Sequence, residues 1–179
     1  MPVTRPSQLL TLQSFGDISR FLREGVADED SRQLRDSLGV LSTQIDEAVR
    51  TRRTSTDTSE ITRCVLALSR GAREHQLFLT GLGSAWHALY EFGAYQRALR
   101  ELRNAIAGWQ LMLERRSTQE RASFDQFELL AWRTLGEALL LIDMYEHQSA
   151  PASDLQQAPP SRKPSVLQRL RAWLRGGRR

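Results

Sequence analysis

The sequence predicts an all-α protein: a bundle of about five or six helices, then a proline-rich linker and a short basic amphipathic helix. Three observations carry this. Apolar residues recur at intervals of three and four over most of the chain, the period of a helix with one buried face. No segment alternates apolar and polar residues with the β-branched enrichment of a strand. The apolar share of 40% and the charged share of 26% are those of a folded protein, and 179 residues suffice for one domain with tails.

Taken in order, residues 1–14 hold two prolines and read as a loose lead-in. Residues 17–24 form a short helix with Ile18, Phe21 and Leu22 on one face and Gly25 as its stop. The clearest helix spans about 28–52, with an apolar stripe at Leu34, Leu38, Leu41, Ile45 and Val49. Asp28, Glu29 and Asp30 stand at its start and Arg50, Arg52 and Arg53 at its end, each sign where the helix dipole favours it. A polar loop over 52–59 follows, with Thr58 or Ser59 as the next N-cap. The helix from about Glu60 carries Ile61, Val65, Leu66 and Leu68 and ends either near Gly71 or near Thr80. A helix over 84–92 is expected to break at Gly93, and a second to run from Ala94 to about Arg115 with Leu99, Leu102, Ile106, Trp109 and Leu113 inward. After a polar joint at 117–123, the last body helix covers about 124–147. The organisation is therefore a helical domain over 1–148, a flexible linker over 149–164 with four prolines, and a basic tail over 165–179.

Charge divides the same way. Residues 161–179 hold seven of the 25 basic residues and no acidic one, leaving 18 basic against 21 acidic in residues 1–160, a net of −3. The body has no field that would gather nucleic acid, and any attraction to polyanions belongs to the tail. There Val166, Leu167, Leu170, Trp173 and Leu174 share one face, and Arg169, Arg171 and Arg175 occupy the others. Such a segment suits an acidic protein groove, an anionic membrane surface or its own acidic body, and nucleic acid least. Arg169, Leu170, Arg171, Trp173, Leu174 and Arg175 are the candidate tail contacts.

Chemistry is hard to find. His75, His87 and His147 stand in no zinc-binding spacing, and no phosphate-binding glycine loop or nucleophile elbow is present. His87 and Glu91, four residues apart, suit a solvated helix face better than a metal. Cys64 is the single cysteine and reads as a buried core thiol, so no disulfide framework is expected. The N-terminus lacks the pattern of a signal peptide, and the longest apolar run, 138–142, is too short to span a membrane. A non-enzymatic protein without cofactor or metal is expected, in a reducing cytoplasm, with the tail offering a peripheral contact at an inner membrane surface. The 24 arginines against one lysine suggest a GC-rich bacterial source.

One stretch carries a resemblance. Residues 86–106, WHALYEFGAYQRALRELRNAI, contain Gly93-x-Tyr95-x-x-Ala98 followed by Ala105, and a second stretch reads Trp132-x-x-Leu135-Gly136-x-x-Leu139. Together they resemble the helical hairpins of tetratricopeptide repeats over residues 84–145, about a third of the chain. The resemblance implies a peptide-binding face made by His87, Tyr90 and Glu91 from one hairpin and Arg133 and Glu137 from the next. It also implies an adaptor or a small bacterial secretion chaperone. The alternatives are a structural subunit that self-associates through the 28–52 stripe or the 139–142 region, and peripheral membrane or nucleic-acid binding through the tail.

Overall fold

A computed structural model describes residues 12–24 and 29–149. Most of the expected linker and the whole amphipathic tail lie outside the described residues. Six helices are described, and no strand is present among the described residues. They are α1 (Phe15–Glu24), α2 (Glu29–Thr54), α3 (Thr58–Thr80), α4 (Ser84–His87), α5 (Tyr90–Glu114) and α6 (Glu120–Ser149).

Short connections fold the four long helices back on one another, as α2 against α3, α3 against α5 and α5 against α6. Helix α6 then returns to α2, which closes a four-helix ring, and α1 packs along α2. The α2 stripe predicted from periodicity is the heart of the core: Leu34, Leu38, Leu41, Ile45 and Val49 are all buried. Helix α1 is fixed at its start by a reciprocal cap. The Asp17 amide donates to Ser14 Oγ at 3.1 Å and the Ser14 amide donates to Asp17 Oδ2 at 3.0 Å. Its small residues then let it lie close on α2, where Ser42 Oγ donates to the Phe15 carbonyl at 3.0 Å.

One boundary the sequence left open is decided, and others differ from the sequence reading. Helix α3 is continuous through Gly71, because Gly71 is buried against α2 and the Gln44 side chain occupies the space a Cβ would need. Its N-cap is Asp57, not Thr58 or Ser59: the Asp57 carboxylate accepts from the Ser59 amide at 2.9 Å. Cys64 is only partly buried; its thiol donates weakly to Thr51 Oγ1 at 3.6 Å.

The largest correction concerns Gly93, which lies inside α5 and not at a turn. The chain turns earlier, over 81–89, with Leu89 extended at φ −78°, ψ 134°. Trp86 and Leu89 are buried there, and Trp86 stacks on Tyr145 of α6 with 3.6 Å between ring centroids. Burying two large side chains outweighs the roughly 1 kcal/mol that a glycine costs within a helix. Helix α6 likewise begins at Glu120, earlier than expected, because that residue is drawn into contacts with α2 and α5.

Candidate protein-interaction surface

The α5–α6 hairpin contains most of residues 86–106 and all of 132–139, and small residues such as Ala98 and Ala131 lie buried along it. Thr134 Oγ1 of α6 lies 3.1 Å from the carbonyl of buried Ala98 on α5 and 2.7 Å from the Leu130 carbonyl of its own helix. At the turn end, α5 finishes in a Schellman arrangement: the Arg116 amide donates to the Leu113 carbonyl at 3.1 Å and the Ser117 amide to the Met112 carbonyl at 3.0 Å. The residue in the left-handed position is Arg116, at φ 48°.

Just inside the turn, three helices are clamped. Arg52 of α2 grips Glu120 of α6 with both arms, Nε to Oε1 at 2.7 Å and Nη2 to Oε2 at 2.6 Å. Trp109 of α5 donates its indole N–H to Glu120 Oε1 at 2.7 Å. The Arg52 hydrogen bonds hold the Glu120 carboxyl below its ordinary pKa, with the Trp109 bond adding to them against the cost of burial. Trp109 also packs on Phe124 and Phe127, each at 5.0 Å between centroids.

Above this clamp the outer seam of α5 and α6 opens into a groove of about 350 Å³. Ala105, Gly108, Trp109 and Leu130 give it an apolar lining, and Asn104, Ser123 and Gln126 supply hydrogen-bonding side chains. Glu101 also lines it, and its carboxylate is held by Arg133 Nη1 at 2.8 Å. Gly108 lies in the interior of α5, and a Cβ built there meets nothing within 4 Å. A second cleft of about 630 Å³ lies at the turn end, lined by Arg52, Ser55, Thr58, Met112, Arg116 and Glu120 among others.

The candidate residues separate into two groups. Arg133 reaches the groove through Glu101, and Glu137 follows one turn later on α6, half-buried. His87, Tyr90 and Glu91 sit at the other end of the hairpin, near the Trp86–Tyr145 stack. His87 is exposed with its ring 4.4 Å from that of Phe92, Tyr90 is 73% exposed, and Glu91 is half-buried. Twelve residues of helix separate Arg133 from Tyr145, about 18 Å at 1.5 Å per residue. No group of three or more His, Cys, Asp or Glu side chains among the described residues could hold a metal. The six candidate tail residues, Arg169 to Arg175, lie outside the described residues.

Sequence reasoning missed the groove, since Asn104, Gly108, Ser123 and Gln126 follow no motif. It also missed a buried polar line across three helices. Ser37 Oγ of α2 lies 2.6 Å from His75 Nδ1 of α3, and His75 Nε2 lies 2.5 Å from the Tyr95 hydroxyl of α5. Burial pushes the His75 pKa down to about 4 and the Tyr95 pKa up. His75 is 3% exposed and Tyr95 fully buried, while Ser37 at the outer end is half-buried. Among the described residues no helix is long and apolar enough to cross a membrane.

In comparisons with known proteins, no family model, no curated protein and no solved structure matches the chain.

Proposed function

We propose that the protein is a non-enzymatic interaction module, adaptor- or chaperone-like, whose α5–α6 groove takes an extended peptide segment of a partner protein. The observation that carries this reading is Gly108. A glycine within a helix costs roughly 1 kcal/mol against alanine, and no packing among the described residues requires it, because a Cβ there meets open space. Its absence of side chain leaves the groove floor low enough for another backbone to approach. Asn104, Ser123 and Gln126 around it present both donors and acceptors, which suits peptide amides better than a charged ligand. The basic tail, with Arg169, Arg171 and Arg175, supplies a second contact joined by the linker, which raises avidity through effective concentration.

The readings based on self-association invoked two apolar surfaces, at 28–52 and 139–142. The stripe of α2 is buried within the single chain, as are Leu139, Leu141 and Ile142. That favours the groove as the contact surface.

The test selects peptides from a random display library on the full chain and measures their binding by calorimetry. Peptides that bind the native chain and lose at least tenfold in affinity for Gly108→Phe support the reading. Failure to select any peptide, or equal affinity for Gly108→Phe, overturns it. Circular dichroism of the variant verifies the fold, which the open space at Gly108 should preserve.

A further inference from the structure

The cleft at the turn end, about 630 Å³ in volume, has the size of a small-ligand pocket. Its polar lining is rich in donors and poor in free acceptors. Arg116 is exposed and forms no ion pair among the described residues. Thr56 and Thr58 bring hydroxyls that no group among the described residues engages. Ser117 Oγ accepts from the Gln119 amide at 3.1 Å, and its own hydrogen remains to donate. Arg52 spends Nε and Nη2 on Glu120, which leaves the N–H bonds of Nη1.

Glu120 is the one carboxylate in the lining. Both its oxygens already accept, from Arg52 and Trp109, so that pair is neutral and Arg116 gives the cleft a net positive charge. Asp57 and Glu60 are close in sequence but outside the lining, and they accept from Ser59 and Ser55. The backbone points the same way. Arg116 holds a left-handed position at φ 48°, where glycine is favoured by about 1 kcal/mol. The dipole of α5 does not need this arginine, since Arg115 already stands at that end. What the position does is bring a free guanidinium to the same cleft as the Thr56 and Thr58 hydroxyls. Ile61, Met112 and Leu113 form an apolar wall beside them. A bare inorganic ion would leave that wall wet, whereas an organic substituent would cover it.

We infer that this cleft binds a phosphate monoester. Arg116, Arg52, Thr56, Thr58 and Ser117 hold its terminal oxygens, and its organic group lies on Ile61 and Met112. Three oxygens that share close to two negative charges match a donor set of this number. A carboxylate, with two oxygens and one charge, leaves donors unused. This inference does not depend on peptide binding in the α5–α6 groove.

The test titrates the full chain with phenyl phosphate, a phosphoserine peptide and benzoate, by calorimetry and by thermal unfolding. Phenyl phosphate should bind and raise the unfolding midpoint. The phosphoserine peptide separates the two sources of the group: the tighter ligand shows whether it comes on a small molecule or on a modified side chain. Without ligand, Arg116→Gly should unfold at a higher temperature than the native chain. It should nevertheless lose at least tenfold in affinity for both phosphates, so a folding defect does not account for the loss. Arg115→Ala removes a neighbouring charge outside the lining and should bind as the native chain does. Affinity should rise as pH passes upward through about 6, where the monoester takes its second charge. Benzoate binding as tightly as phenyl phosphate overturns the phosphate assignment. No binding of either phosphate at millimolar concentration, unchanged affinity in Arg116→Gly, or an equal loss in Arg115→Ala overturns the site.

Discussion

Substituting His75 should change how the protein's stability depends on pH, and the size of the effect follows from its surroundings. A neutral imidazole has one N–H and one lone pair, which matches one hydroxyl on each nitrogen, Ser37 at 2.6 Å and Tyr95 at 2.5 Å. Protonation places a charge in a site that is 3% exposed, and burial alone brings the pKa to about 4 from the ordinary 6.5. The folded state therefore resists a proton that the unfolded chain accepts. The contribution is fully present above pH 6.5 and is lost as pH falls towards 4. At pH 4.5 the unfolded chain gains on the order of 2 to 3 kcal/mol from this group relative to the folded one, and at pH 7.5 close to zero. Urea unfolding of the native chain and of His75→Gln at pH 7.5, 6.0 and 4.5 checks this, because the carboxylates common to both cancel in the difference. Glutamine keeps a donor and an acceptor but does not titrate. The native chain should lose about 2 to 3 kcal/mol relative to His75→Gln between pH 7.5 and 4.5. A difference that stays flat to within about 0.5 kcal/mol would refute the account of His75 as a buried neutral imidazole.

Three further substitutions probe other features. Arg116→Gly removes a side chain from a left-handed position at φ 48° and should stabilise the chain by about 1 kcal/mol in thermal or urea unfolding. Gly108→Ala adds a methyl group into open space and should stabilise by about 0.5–1 kcal/mol, so a loss of stability would mean the position is packed after all. Glu120→Gln keeps an acceptor for the Trp109 indole but leaves Arg52 without its charged partner, and should cost about 1–3 kcal/mol in urea unfolding at neutral pH.

The fold was legible where a single periodicity decides the outcome. The stripe from Leu34 to Val49 reads as one buried face, and it is one. The boundaries at Gly71 and Gly93 were not legible, because local propensity opposes the helix at both and only tertiary burial decides. Gly71 is kept helical by the close packing of Gln44 from α2, and Gly93 by the burial of Trp86, Leu89 and Phe92 around a turn placed earlier. The groove itself was not legible. Arg133 pairs with Glu101, which lines the groove, but a spacing along one helix says nothing of which residues face it from another. His75 was visible as a histidine in an apolar helix, while its partners Ser37 and Tyr95, 38 and 20 residues away, could be assigned only by the way the ring of helices closes.

That closure joins α2 to α6, the two long helices most distant in sequence, and its chemistry differs from that of the other seams. Apolar side chains spaced at three and four residues pack almost equally well after a slip of one helical turn, about 5.4 Å. Charged pairs do not. At one end of the seam Arg35, 2% exposed, meets Glu146 through Nε at 2.9 Å and Nη2 at 2.8 Å, and its Nη1 has no partner among the described residues. At the other end Arg52 holds Glu120. A buried pair of this kind adds little to stability over a well-packed apolar pair. A slipped register, however, would leave the Arg35 charge buried without its carboxylate, at a cost of about 3–5 kcal/mol. The two clamps therefore act mainly by excluding other alignments of α2 and α6. The α5–α6 groove inherits that definition, since Trp109, which lines it, is held by Glu120 of the Arg52 clamp.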